Sequence, residues 1–139
     1  MVFTIVTQYP NWFHDLPRSL ETTHAFYAAA TPGTFFQLLA PIGLVTFTLV
    51  MVAVWKSPRL RVLYASSYLL FLVVGVGTFA LVYPILGELV SPGVANLEPA
   101  RLSELVSRFK LLDGLRLVVA IASNVILIAA TSAYHWEEL

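Results

Sequence analysis

The sequence predicts an all-α integral membrane protein, a helical bundle of three spans with amphipathic helices on its outer face, similar in outline to a four-helix bundle. Three observations carry that prediction. The stretch 62–86, VLYASSYLLFLVVGVGTFALVYPIL, contains no charged side chain. As a helix it is about 37 Å long at 1.5 Å per residue, more than the hydrocarbon core of roughly 30 Å that a span must cross. Apolar residues make up 58% of the chain and charged ones 12%, against about 25% charged in an ordinary soluble domain. Two further apolar stretches, 34–55 and 115–134, flank the first.

Length and charge narrow the classes. With 139 residues and a mean hydropathy of +0.80, a single membrane domain over 1–139 is expected. The net charge is zero, so no basic face points to nucleic acid. The chain has no cysteine, which removes disulfides, thiolate catalysis, cysteine-ligated zinc and iron–sulfur clusters. Residues 1–13 are too short to span and lack the charged start and small-residue cleavage site of a signal peptide. Two forms are open to them: a strand-like or fraying arm, or an interfacial segment held at headgroup level by Tyr9, Trp12 and Phe13.

Asp15 can cap a helix with Pro17 in its first turn, running to about Ala30 before Thr31-Pro32-Gly33 stops it. Arg18, Glu21, Thr22, Thr23 and His24 make this helix too polar to span, so residues 1–33 form an interfacial arm and an amphipathic helix. The first span, 34–55, carries Pro41 and Gly43 one turn inside, where proline removes a helical hydrogen bond and kinks the axis. Lys56, Arg59 and Arg61 follow with no acid among them, which makes the 56–61 loop cytoplasmic. The second span then returns to the outside. Ser66, Ser67, Gly75 and Gly77 are small enough to let a neighbouring helix approach in lipid.

Residues 87–96 are an outer loop turning at Pro92-Gly93. From Glu98-Pro99, Leu102, Leu105, Val106, Phe109 and Leu112 line one helical face, with Arg101, Glu104, Ser107, Arg108 and Lys110 opposite. Only Gly114 interrupts the pattern, so the amphipathic helix 98–114 is expected to continue into the third span, 115–134. The tail from Tyr134 to Leu139 returns to the cytoplasmic side. Residues 87–110 then lie outside a bacterial inner (plasma) membrane, where the two amphipathic helices can pack on each other.

The stretches YPNWFHDLPRSLETTHAFYAAATPGTFFQLLAPIG, WKSPRLR, FALVYPILGEL and SRFKLLDGLRLVVAIAS are similar to the anthrone-oxygenase-like family of small integral membrane proteins. The resemblance covers most of the chain. It implies four spanning helices, with a polar residue and an arginine at the entry of the last, where this chain has Asp113 and Arg116. Relative to that pattern the first helix is absent or reduced to residues 1–8, so either the sequence begins late or a partner supplies the missing wall. For a few members the family implies oxidation of a polycyclic anthrone to an anthraquinone without metal or flavin.

Such chemistry needs a base for an acidic C–H and a cation for the resulting enolate. His24 is the expected base, since an imidazole gains or loses a proton near neutrality; an interfacial hydrogen bond is its plainer role. Arg116 is the expected cation and Asp113, three residues before it on one helix face, its catalytic companion or simply its ion-pair partner. Trp12, Tyr83 and Asn124 are the expected ligand-binding residues, although aromatic belts explain Trp and Tyr equally and Asn124 suits a cross-helix hydrogen bond. No recognised metal-ligand spacing appears, and no cofactor is expected.

Two readings stand. In the first, a hydrophobic aromatic or quinone-like molecule is bound or oxidised, without a cofactor, in an outer-face cavity lined by His24, Arg116 and Tyr83. In the second, the chain is a non-catalytic accessory or assembly subunit of a homo-oligomer or larger membrane complex.

Overall fold

The computed structural model describes residues 2, 4–27 and 32–137, and the side chains among them except those of 32, 35, 36 and 135–137. Among these residues every regular element is helical and no strand occurs. In chain order they are a π-helical turn Thr4–Gln8, α1 (Tyr9–Trp12), α2 (Arg18–Phe26), α3 (Pro32–Ala53), α4 (Pro58–Gly77), a second π-helical turn Thr78–Val82, α5 (Tyr83–Leu89), a 3-10 turn Val94–Asn96 and α6 (Pro99–Glu137). Contacts group the chain into two compact units: Met1–Thr31 with Gly77–Leu117, and Pro32–Val76 with Val118–Leu139.

Both π turns run into a Tyr-Pro dipeptide, and the proline explains them. Pro84 has no N–H to give the carbonyl of Ala80, and Pro10 none for Val6, so the ordinary ladder cannot close there. At the second site the chain shifts register by one residue, and the Tyr83 N–H donates to the carbonyl of Thr78. The helix bends its ladder without stopping, so α4, the π turn and α5 form one helical stretch, Pro58–Leu89.

In the first unit Tyr9, Leu20, Val82, Ile85, Leu89, Val94, Leu102, Leu105, Val106 and Phe109 make one core. The face of α6 read from its apolar spacing is the buried one, and Leu20 of α2 shares its core. Residues 4–12 are helical and not strand-like, because Ile5, Tyr9, Trp12 and Phe13 pack on that core and a helix satisfies their backbone internally. The helix expected from Asp15 is shorter than its pattern, spanning Arg18–Phe26. Pro17 occupies the N-cap position without any side-chain cap, and Asp15 contributes only its carbonyl, which accepts from the Ser19 N–H at 2.8 Å. Residues 28–31, where that helix was expected to end, lie outside the described residues.

In the second unit α3 keeps Pro41 inside the helix. Gly43 faces Phe71 so closely that a Cβ there would stand 3.1 Å from its ring. Ser67 and Ser123 clamp α4 to α6: each hydroxyl donates to the other's carbonyl at 2.9 Å. Two small side chains thereby bring two backbones together and leave no hydroxyl unsatisfied in an apolar setting. Val54, Leu60, Tyr64 and Ala130 form the second buried cluster.

Among the described residues two helical stretches, Pro58–Leu89 and Pro99–Tyr134, are long and apolar enough to cross a membrane, whereas the apolar part of α3, Gln37–Ala53, is shorter. The second of the expected spans begins earlier than its uncharged core, because Pro58 starts the helix and takes Arg59 and Arg61 into its first turn. α6 runs without interruption through Gly114.

Candidate functional site

Two features of the first unit gather its chemistry. The first is a buried polar cluster. Asp113 is 1% exposed, and its Oδ1 lies 2.6 Å from Nη2 of Arg116; three residues apart on one helix, the two side chains share a face. The Tyr9 hydroxyl donates to Oδ2 of Asp113 at 2.5 Å across 104 positions of sequence. Arg116 Nη1 donates to the hydroxyl of Thr78 at 3.2 Å, so the first residue of the second π turn is also tied to this cluster. Among the described residues Nε of Arg116 is buried without a hydrogen-bond partner. Burial, and then the hydrogen bond to Asp113 and its negative charge, push the Tyr9 hydroxyl well above the ordinary range for a phenol, against a smaller opposing effect of Arg116. Tyr9 therefore stays neutral and donates, and the α1 segment is anchored to α6.

The second feature is a cleft of about 640 Å³ built by the segment Tyr9 anchors. Trp12, Phe26 and Tyr27 supply its aromatic surface, and His14, Asp15 and Arg18 its ionisable groups. Its walls are held from several sides. Tyr9 and Trp12 have ring centroids 6.2 Å apart, and the Ser19 hydroxyl donates to the Trp12 carbonyl at 2.6 Å. Gln8 Nε2 donates to the Tyr27 hydroxyl at 2.9 Å, and the Trp12 and Tyr27 rings meet nearly at right angles with centroids 6.4 Å apart. The volume falls within the range of about 300–1,000 Å³ usual for small-molecule pockets, and the lining is mixed, three aromatic rings among eight polar or charged side chains.

Of the residues singled out from sequence, Trp12 lines this cleft, and Asp113 and Arg116 are joined as an ion pair. His24 is exposed on α2 and is not among the lining residues. Tyr83 is half-buried with its ring edge-on to Phe79 at 5.1 Å. Neither it nor Arg116 lines the cleft with Trp12. Asn124 is exposed and donates to the Ala120 carbonyl of its own helix at 2.8 Å, where a cross-helix bond was expected; back-bonding one turn away satisfies the amide locally. Tyr9, His14, Arg18, Tyr27 and Thr78 acquire their roles only in three dimensions. Among the described residues no three His, Asp or Glu side chains group as a metal site.

No family model, no curated protein and no solved structure matches the chain.

Proposed function

We propose that the chain is a three-span integral membrane protein that binds a hydrophobic aromatic or quinone-like molecule at its outer face. The observation that carries this reading is the cleft of about 640 Å³ with Trp12, Phe26 and Tyr27 in its lining. Its setting in lipid rests on side-chain exposure along α6. From Ser103 to Lys110 the exposed side chains are polar: Ser103, Glu104, Ser107, Arg108 and Lys110. From Leu111 onward Leu111, Leu115, Val118, Ile121, Val125 and Ile128 are 51–66% exposed, a stripe that water disfavours and hydrocarbon accepts. The lipid boundary on this helix thus falls between Lys110 and Leu111. α3, with Leu38, Ile42, Val45, Leu49 and Val52 exposed, supplies the third span, and Lys56, Arg59 and Arg61 face the cytoplasm.

A ligand soluble in the bilayer would reach a cleft at that level without crossing water. The resemblance to anthrone-oxygenase-like proteins extends the reading to a reaction: a bound anthrone CH₂ and dioxygen give the quinone carbonyl and water, with no cofactor. Titration of the detergent-purified protein with an anthraquinone, read by tryptophan fluorescence, tests the binding. Saturable quenching is expected in the native chain and its loss in Trp12→Phe. Equal quenching in both, arising from Trp55 and Trp136 alone, would overturn the reading.

One observation favours a second role, as a subunit of a homo-oligomer or larger membrane complex. At Gly75 and Gly77 no atom lies within 4 Å of where a Cβ would stand, which leaves a notch on α4 suited to a neighbouring helix. Light scattering on the mildly solubilised protein decides it: a protein mass above the 15.4 kDa of one chain is the expected result for a subunit, and a lone chain counts against it.

A further inference from the structure

We infer that His14, and not His24, is the proton acceptor of the cleft, taking a proton from a hydroxyl or enolisable group of the bound aromatic molecule; the inference rests on the binding role proposed for that cleft. Its ground is the hydrogen bond that orients the ring. His14 Nδ1 lies 2.9 Å from the carbonyl oxygen of Asn11. A carbonyl can only accept, so Nδ1 carries the hydrogen, and in the neutral imidazole Nε2 is left with a free lone pair. His14 lines the same cleft as Trp12, so that lone pair belongs to a group on the wall a ligand would touch. His24 has no comparable place: it lies outside the lining.

The remaining charged groups of the cleft complete the argument. Arg18 lines it, and among the described residues no carboxylate lies within 4.0 Å of its guanidinium. Asp15 and Tyr27 are the other titratable side chains of the lining; the Tyr27 hydroxyl already accepts from Gln8. In the step itself the ligand O–H or C–H bond breaks and the Nε2–H bond forms. The electron pair stays on the ligand, as a phenolate or enolate, and the proton makes His14 an imidazolium. Arg18 and the imidazolium are then the two cations available to the new anion, which is how a positioned base and a preorganised charge act together.

The probe is 1,2-dihydroxyanthraquinone, whose phenol and phenolate differ in colour, so ionisation of the bound probe is read directly by absorbance while Trp12 fluorescence reports occupancy. In the native protein and in His24→Gln the bound probe is expected to ionise at a lower pH than in His14→Gln. The expected difference is about one pH unit, tenfold in the ratio of ionised to neutral probe. His14 is exposed, so its replacement leaves the core packing alone. If His14→Gln still quenches Trp12 and its probe titrates as in the native protein, His14 is not the acceptor and the inference is overturned while the binding role survives. If the native protein shows no Trp12 quenching, the binding role fails and this inference with it.

Discussion

Asp113→Ala is expected to destabilise the protein by about 3–5 kcal/mol, the cost of removing one partner from a buried ion pair. The carboxylate is 1% exposed and is bound by both Arg116 and Tyr9. Its loss leaves a partly buried guanidinium charge without its counter-ion, and a phenol without an acceptor. Thr78 is a neutral partner for Arg116 and cannot balance the charge. Breaking the pair and replacing it have different consequences. When Tyr9→Phe, Asp113→Leu and Arg116→Met are combined, no polar group is left stranded, and the triple variant is expected to recover most of the loss. Unfolding of the detergent-solubilised variants checks both. An Asp113→Ala protein within about 0.5 kcal/mol of native, the range of an ordinary surface substitution, would mean that the cluster has little energetic weight. The cleft should loosen with the anchor, because Tyr9 holds the segment that carries Trp12 and His14.

The parts of this fold that were legible in the sequence are those that local pattern determines. The absence of charge over 62–86 and the spacing of Leu102, Leu105, Val106 and Phe109 both describe a single helix and its surroundings, and neither depends on a distant partner. Gly114 left α6 intact because one glycine costs about 1 kcal/mol in a helix interior, far too little to stop an element of 39 residues. The π turns were less visible: Tyr-Pro at 9–10 and 83–84 marks where a ladder bond is lost, but only the structure reveals that the chain continues by adding a residue to the turn. The site was least legible. Asp113 and Arg116 share a face by spacing alone, whereas Tyr9 meets Asp113 across 104 positions and no periodicity records that. Proton chemistry near neutrality suits His24 and His14 alike, and His14 sits in the bend between α1 and α2, where no periodicity indicates which way a side chain points.

Tyr9 also gives the fold a distinct alkaline limit. Its hydroxyl is held above the ordinary phenol range by burial and by Asp113, so it remains protonated in the folded protein where the unfolded chain, with a phenol pKa of about 10, has lost its proton. Below that pH both states bind the proton and the full stabilisation is present. Above it the folded state binds one more proton than the unfolded state, and stability must fall as pH rises, by about 1.4 kcal/mol per pH unit for one such group. Between pH 10 and 12 the native protein is therefore expected to lose up to about 2 kcal/mol that Tyr9→Phe does not lose. Comparing the two proteins removes the contributions of every other titrating group, since only position 9 differs. Denaturation midpoints measured across that interval should converge or cross as the pH rises. Curves that stay parallel would show that the Tyr9 hydroxyl titrates alike in both states, and that its bond to Asp113 does not hold the N-terminal segment in place.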